Sequence, residues 1–220
     1  VAAGRRADRL NALAKELGTR CHPVTLDVRN RKAVEQAIAD LPAGFRDIDV
    51  VVANAGMALG LQPAYEADLS DWDEMVDTNI KGLIYTVRAV LPGMVARDRG
   101  HVVTIGSVAA DYPYPGGNVY GATKAFVKQF ALNLRADLLG KNVRVTNVEP
   151  GMAETEFSLV RFKGDSDKAK APYKGMQPMS ADDIAETIFW SCTLPRHLNI
   201  NRMQMMPVMQ AFGPFQFARK

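Results

Sequence analysis

Ile48-Asp-Val-Val-Val-Ala-Asn-Ala-Gly56 is an apolar run that ends on an amide and a glycine. Further along, His101-Val-Val-Thr-Ile-Gly-Ser107 repeats the pattern with a hydroxyl at its end. Short β-branched runs of this kind, closed by polar residues, read as parallel strands buried on both faces. The polar residues then sit at the carboxyl ends of the strands, the edge at which open α/β sheets bind ligands.

The flanking sequence alternates in the same way. Val1-Ala-Ala3 reads as a strand end, followed by a helix from Arg6 to Leu17 that buries Leu10, Leu13 and Leu17 and stops at Gly18. A strand is expected at Val24 to Val28. Asn30 caps the next helix, with Val34, Ala37, Ile38 and Leu41 inward and Pro42 as its stop. Ser70 with Asp73 forms a capping pair for a helix through Met75 to Asn79, and a second helix runs from Gly82 toward Arg97. A long helix from Val119 to Leu139 leads to a strand at Val143 to Val148. Ser180 with Asp183 starts a late helix, and Met203 to Met206 is a last strand. Strands alternating with helices predict a doubly wound, Rossmann-like parallel sheet in one domain over 1–220. Gly151 to Met179, rich in Lys, Asp, Gly and Pro, is expected to be a mobile loop beside the site.

The chemistry concentrates in Tyr120-Gly-Ala-Thr-Lys124, 13 residues after Ser107. On a helix, positions i and i+4 share a face, so the Lys124 ammonium can lie near the Tyr120 phenol and favour its ionised form. Tyr120 then becomes a candidate general acid/base, Ser107 a holder of the substrate oxygen, and Asn79 the organiser of a water behind the lysine. Tyr-x-x-x-Lys is weak evidence alone; its place after two apolar strands gives it meaning.

The Asn54-Ala55-Gly56 turn, the set Asn79, Ser107, Tyr120 and Lys124, and the Pro150-Gly151 turn resemble the short-chain dehydrogenase/reductase family over nearly the whole chain. Ala53 departs slightly from that family's commoner Asn-Asn-Ala-Gly pattern. Within the family, Asn118-Val-Tyr-Gly-Ala-Thr-Lys-Ala-Phe126 and Thr155-Glu-Phe-Ser-Leu-Val-Arg-Phe-Lys-Gly-Asp165 are similar to the bacterial NADP-dependent 3-hydroxy acid dehydrogenases. The resemblance implies hydride transfer between NADP and a small 3-hydroxy acid or its semialdehyde or keto form, by a homotetramer. It also implies an adenine contact at Asp27-Val28, a ribose contact at Asn54, Ala55 and Gly56 and at Tyr120 and Lys124, and a nicotinamide frame of Pro150, Gly151, Met152 and Thr155. Gly4-Arg5-Arg6 follows the first visible strand where NAD-using members carry an acidic residue. Two guanidiniums there suit a 2′-phosphate. Arg161, Lys163 and Arg144 are candidates for a substrate carboxylate, with Arg161 the one carried forward beside Ser107.

The glycine-rich phosphate loop of this fold does not occur in the sequence. The first strand, that loop and the first helix are expected to precede Val1, and the strand ending at Ala3 should therefore not pair with the strand ending at Ala53.

Composition narrows the classes. At 220 residues, 47% hydrophobic and 23% charged, the chain can bury one sizeable core. A net charge of +3 spread over 27 basic and 24 acidic residues does not by itself point to nucleic acid, for which clustering on one face is the required sign. No apolar stretch approaches membrane-spanning length. The three histidines lack metal-ligand spacing, so no metal is expected. Cys21 and Cys192 stand apart, which fits a reducing compartment such as the cytoplasm. The apolar Met209 to Phe217 segment calls for a partner surface. Two alternatives stay open: a general ketone or 3-ketoacyl reductase with the same tetrad, and a non-catalytic dinucleotide-binding scaffold.

Overall fold

A computed structural model describes residues 1–213 and 215–219. Its strands are β1 (Ala2–Gly4), β2 (Pro23–Thr25), β3 (Val50–Ala53), β4 (Gly100–Ile105), β5 (Val143–Pro150) and β6 (Arg202–Met205). The helices are α1 (Ala7–Leu17), α2 (Arg31–Ala39), α3 (Leu69–Val76), α4 (Gly82–Ala96), α5 (Asn118–Asp137), α6 (Glu156–Arg161), α7 (Ser166–Lys170) and α8 (Ala181–Thr193). All strand pairs are parallel, in two ladders: β1–β2, and β3–β4–β5–β6. This is the α/β, Rossmann-like architecture expected from the alternation. No ladder joins β1 to β3 among the described residues, as anticipated for the strands ending at Ala3 and Ala53.

The core lies where β4 and β5 meet α4 and α5. Leu83, Val87, Val90 and Met94 of α4 and Val127, Ala131 and Leu134 of α5 close over Val102, Val143 and Val145. Side chains alternate across a strand, so Arg144 points away from this layer. Its guanidinium donates to the Ser191 and Cys192 carbonyls at the end of α8, which places α8 on the opposite face. Arg144 is therefore a tie between layers and not a substrate ligand.

Four local expectations need correction. β3 is not buried on both faces: Val51 and Ala53 pack into the core, but Val50 and Val52 are 41% and 40% exposed, because only one face of this strand is covered. The apolar stripe of α1 is not buried either, and Leu13 is 38% exposed. α1 packs mainly on the two-stranded ladder, which leaves Leu10 and Leu17 half-buried and Leu13 exposed. The cap of α3 is Asp68, whose carboxylate accepts from the Ser70 N–H, and not a Ser70–Asp73 pair. Finally, the stretch 151–179 is largely folded, into α6, α7 and a following turn. Asp165 caps α7, and the Tyr173 hydroxyl bridges Ser158 and the Ala153 carbonyl. The Ser180–Asp183 capping box of α8 is present as read.

Candidate active site

Asn79 is held at its place by a defect in a helix. Between α3 and α4 the backbone widens into a π-turn over Asp77–Lys81 without interrupting the helical path, a distortion common at functional positions. The Asn79 side chain is buried and fully engaged. Its Oδ1 accepts from the Met57 N–H at 2.8 Å, and its Nδ2 donates to the Met57 carbonyl at 2.8 Å and to Thr123 Oγ1 at 3.0 Å. Thr123, one residue before Lys124, was not singled out in the sequence; a lone helical threonine carries no signal of such a role.

Ser107 follows β4 and caps a short turn, its Oγ accepting from the Ala109 N–H at 3.1 Å. The same hydroxyl makes a long 3.4 Å contact to the Pro150 carbonyl at the end of β5. Tyr120 and Lys124 occupy one buried face of α5, with Lys124 Nζ 5.8 Å from the Tyr120 ring centre. Lys124 donates to the Ile105 carbonyl at 2.8 Å. A Cβ built on Gly56 would stand 3.4 Å from both Asn79 Oδ1 and Lys124 Nζ, so the Asn54–Gly56 turn lies in van der Waals reach of two tetrad side chains. All four expected catalytic residues are thus brought to the carboxyl ends of β3 to β5.

The electrostatics differ from the sequence reading. Burial pushes the Tyr120 phenol up to about 12, with the nearby Ser107 hydroxyl opposing the rise. Burial also pushes Lys124 down to about 8. Each group is driven toward its neutral form, because desolvation outweighs their mutual attraction across this separation. Lys124 does not depress the phenol here; its ammonium is turned to the backbone of β4.

Arg161, at the end of α6, joins this cluster. Its guanidinium carbon lies 5.3 Å from the Tyr120 ring centre, 5.5 Å from that of Tyr114 and 6.0 Å from that of Phe157. Nε donates to the Gly60 carbonyl and Nη2 to the Tyr114 hydroxyl, and no carboxylate pairs with it among the described residues. Lys163, by contrast, is paired with Asp71 at 2.8 Å. Of the three basic candidates, Arg161 is the one that reaches the tetrad with its charge unmatched.

The remaining expected residues line the strand ends, several with partners of their own. Arg5 is exposed. Arg6 and its neighbour Arg9 both bind Glu156, at 2.8 and 2.6 Å, so α6 is tied to α1 by a solvent-facing clamp. Asp27 is chelated by Arg29, which holds its carboxyl below the usual range, and Val28 packs against Gly82 at the start of α4. Thr155 caps α6, accepting from the Phe157 N–H with its hydroxyl proton left to donate elsewhere. The Gly151 and Met152 N–H groups are taken by the Met205 carbonyl and by Gln210. A surface hollow of about 480 Å³ beside Glu154, Lys170 and Tyr173 includes none of the tetrad, so convergence of side chains identifies the site and cavity size does not.

A parallel sheet with Asn, Ser, Tyr and Lys converging on its carboxyl edge defines a dehydrogenase of the Rossmann type. The chain belongs to the short chain dehydrogenase family, whose model matches residues 1–164. It is 59% identical over 214 residues to the NADP-dependent 3-hydroxy acid dehydrogenase YdfG of Salmonella typhi, an alignment covering 97% of this chain and 86% of that protein. It is 54% identical over 220 residues to the serine 3-dehydrogenase of Agrobacterium fabrum, covering 100% of this chain and 88% of the relative. Among solved structures, the closed form of a serine dehydrogenase complexed with NADP+ superposes with a TM-score of 0.95 at 54% identity, over 100% of this chain and 89% of that one. No helix among the described residues is long and apolar enough to cross a membrane.

Proposed function

We propose that this protein is a single-domain, NADP-dependent oxidoreductase that interconverts a small 3-hydroxy acid with its 3-oxo or semialdehyde form. The observation that carries the reading is the placement of Arg161. Its unmatched guanidinium stands over the ring of the candidate acid/base Tyr120, in the cluster that also contains Ser107. A carboxylate bound there sits only a short distance from the reacting oxygen, which suits a substrate whose acid group is one carbon removed from the carbinol. The similarity to 3-hydroxy acid and serine dehydrogenases supports the same class.

NADP, when bound, supplies or accepts the hydride at the substrate carbon. The chain's own residues handle the proton. In the reducing direction Ser107 Oγ exchanges its long contact to Pro150 for one to the substrate oxygen, and Tyr120 donates its phenolic proton to that oxygen as negative charge develops. The phenol carries the proton across the physiological range, and donation becomes efficient when a cation beside it lowers its pKa toward neutrality. For Lys124 to stabilise the phenolate left by that transfer, its ammonium must swing from the Ile105 carbonyl toward Tyr120; with Asn79 locked behind it, it then relays a replacement proton through ordered water. For the cofactor, Arg5 and Arg6 take the 2′-phosphate, with Arg6 leaving its exposed pairing to Glu156, a contact worth little in water. Asp27 and Val28 meet the adenine, Asn54, Ala55 and Gly56 with Tyr120 and Lys124 meet the ribose, and Pro150, Gly151, Met152 and Thr155 frame the nicotinamide. Gly56 supports this fit, because any side chain would fill the approach to Lys124 and Asn79.

We assign the enzyme to the cytoplasm as a homotetramer. Exposed Phe189, Trp190, Val208 and Phe212 supply apolar surface for such contacts, and light scattering of the purified protein tests it against a monomer. The substrate reading is tested by NADPH oxidation with malonic semialdehyde, simple ketones and 3-ketoacyl thioesters. We expect the acid to have the highest kcat/KM by at least tenfold. Equal values for an uncharged ketone would favour a general ketone reductase, preference for the thioester a 3-ketoacyl reductase, and no turnover with any of them a binding scaffold.

A further inference from the structure

Tyr114 lies six residues before Tyr120, in Tyr112-Pro-Tyr-Pro-Gly-Gly117, a stretch to which the reaction assigns no role. Its ring is fixed by the backbone around it. The Gly117 N–H donates to the Tyr114 carbonyl at 3.0 Å, and a Cβ on Gly117 would come within 2.7 Å of the ring, so the turn folds back directly against the phenol. Gly116 holds a left-handed φ of 76°, and a Cβ there would strike the Leu61 carbonyl at 2.2 Å. Both glycines are required by how closely this turn packs. On its other side the Tyr114 ring meets Phe215, at 4.5 Å between ring centres, so the C-terminal segment backs it. Part of the apolar tail thus packs within its own chain; Pro214 in it lies outside the described residues.

This immobilised phenol holds Arg161. The Arg161 Nη2 donates to the Tyr114 hydroxyl at 2.6 Å, with the guanidinium carbon 5.5 Å from the Tyr114 ring centre. The Gly60 carbonyl accepts from Nε at 3.2 Å, and the Gly60 N–H in turn donates to the Arg161 carbonyl at 3.0 Å. Of five guanidinium N–H bonds, two are used by neutral oxygens. Both on Nη1 remain without a protein partner among the described residues. Neutral acceptors orient the fork without cancelling its charge, whereas an aspartate in the place of Tyr114 would neutralise it.

We propose that Tyr114 is a positioning residue for substrate specificity: it fixes the Arg161 guanidinium over Tyr120 so that the free Nη1 edge receives the carboxylate of a 3-hydroxy acid. This rests on Arg161 being the carboxylate anchor. A long, flexible arginine loses conformational freedom on binding its ligand, and one already held in place loses less. The contribution of Tyr114 is therefore confined to substrates that carry the acid.

The test is steady-state kinetics of the purified enzyme, its Tyr114→Phe and Arg161→Ala variants and the double variant. Each is assayed with 3-hydroxypropionate and with the uncharged alcohol 1-propanol or its aldehyde. Tyr114→Phe should raise KM for the acid about tenfold, the scale of one lost hydrogen bond to a charged group. It should leave kcat within about twofold and the uncharged substrate unaffected. Arg161→Ala should raise KM for the acid further, and adding Tyr114→Phe to it should cost nothing more. If Arg161→Ala discriminates against the acid while Tyr114→Phe does not, the anchor stands and the role of Tyr114 is overturned. Equal losses on acid and alcohol in Tyr114→Phe also overturn it, as the signature of a merely structural residue. If Arg161→Ala leaves the acid's KM unchanged, the anchor itself fails and the proposal falls with it.

Discussion

Two clusters of charge hold this molecule together, and they lie in opposite environments. At the end of β5, Glu149 is fully buried and receives Arg202 of β6 through two hydrogen bonds, Nε at 2.8 Å and Nη2 at 2.7 Å, with Asn147 adding a third at 2.7 Å. Arg202 also binds Asp111, which binds Lys128 of α5, so the network links β5, β6, the segment after Ser107 and the tyrosine-bearing helix. At the other cluster Arg6 and Arg9 of α1 hold Glu156 of α6 with equally short contacts, but every partner is about half exposed or more. The geometry is alike. The consequences differ, because water reaches every partner of the clamp, whereas at Glu149 it reaches only the 38% exposed Arg202 and not the carboxylate. The side with the buried carboxylate carries the tetrad, while the clamp that water can loosen lies where the cofactor's 2′-phosphate is proposed to bind.

The largest expected effect is on the buried side. Arg202→Met leaves Glu149 in the interior without its cation; because Arg202 is itself 38% exposed, water takes up part of the loss, and the cost should be roughly 3 kcal/mol in unfolding free energy, the low end for a broken buried pair, measured by urea denaturation. A loss below about 1 kcal/mol would show that the network is wet and that the contrast is false.

A smaller effect comes from Lys124. Its folded value of about 8 lies below the ordinary lysine value of 10.5, so between those limits the unfolded chain binds the proton that the native chain has released, and stability must rise with pH. Tyr120, raised to about 12, acts in the opposite sense only above about pH 10. From pH 8 to pH 10 the parent should therefore gain on the order of 2 kcal/mol relative to Lys124→Met. Parallel pH profiles for the two proteins would mean that the ammonium is solvated. The smallest change is expected at the exposed clamp, where Glu156→Gln should leave the urea midpoint close to that of the parent. A loss as large as that of Arg202→Met would erase the distinction.

The two sides were also unequally legible in the sequence. Strand positions, the long helix and the four tetrad residues could be read, because apolar runs ending on polar residues announce a ligand-binding edge. Arg161 was one of three basic candidates, and only packing separated it: Arg144 is consumed by α8 and Lys163 by Asp71. The Glu149 network was invisible. Val143-Arg-Val-Thr-Asn-Val-Glu-Pro150 gives no sign that its glutamate is buried, and Arg202 lies 53 positions away. Tyr114 was missed for a related reason, since its partner Arg161 is 47 positions distant and joins it only through tertiary structure. The mutual influence of Tyr120 and Lys124 was read from helical spacing alone. Spacing predicts neighbours but not solvation, and solvation decides both their protonation states.

The account rests most directly on Tyr120 as the group that exchanges the proton with substrate oxygen, and single-turnover kinetics of Tyr120→Phe with NADPH and a 3-oxo acid tests it. The phenylalanine ring keeps the packing against Phe157 and removes only the hydroxyl, so the variant should fold, bind NADP and lose turnover by about a hundredfold or more. A rate within tenfold of the parent would contradict the account and move the proton transfer to another group.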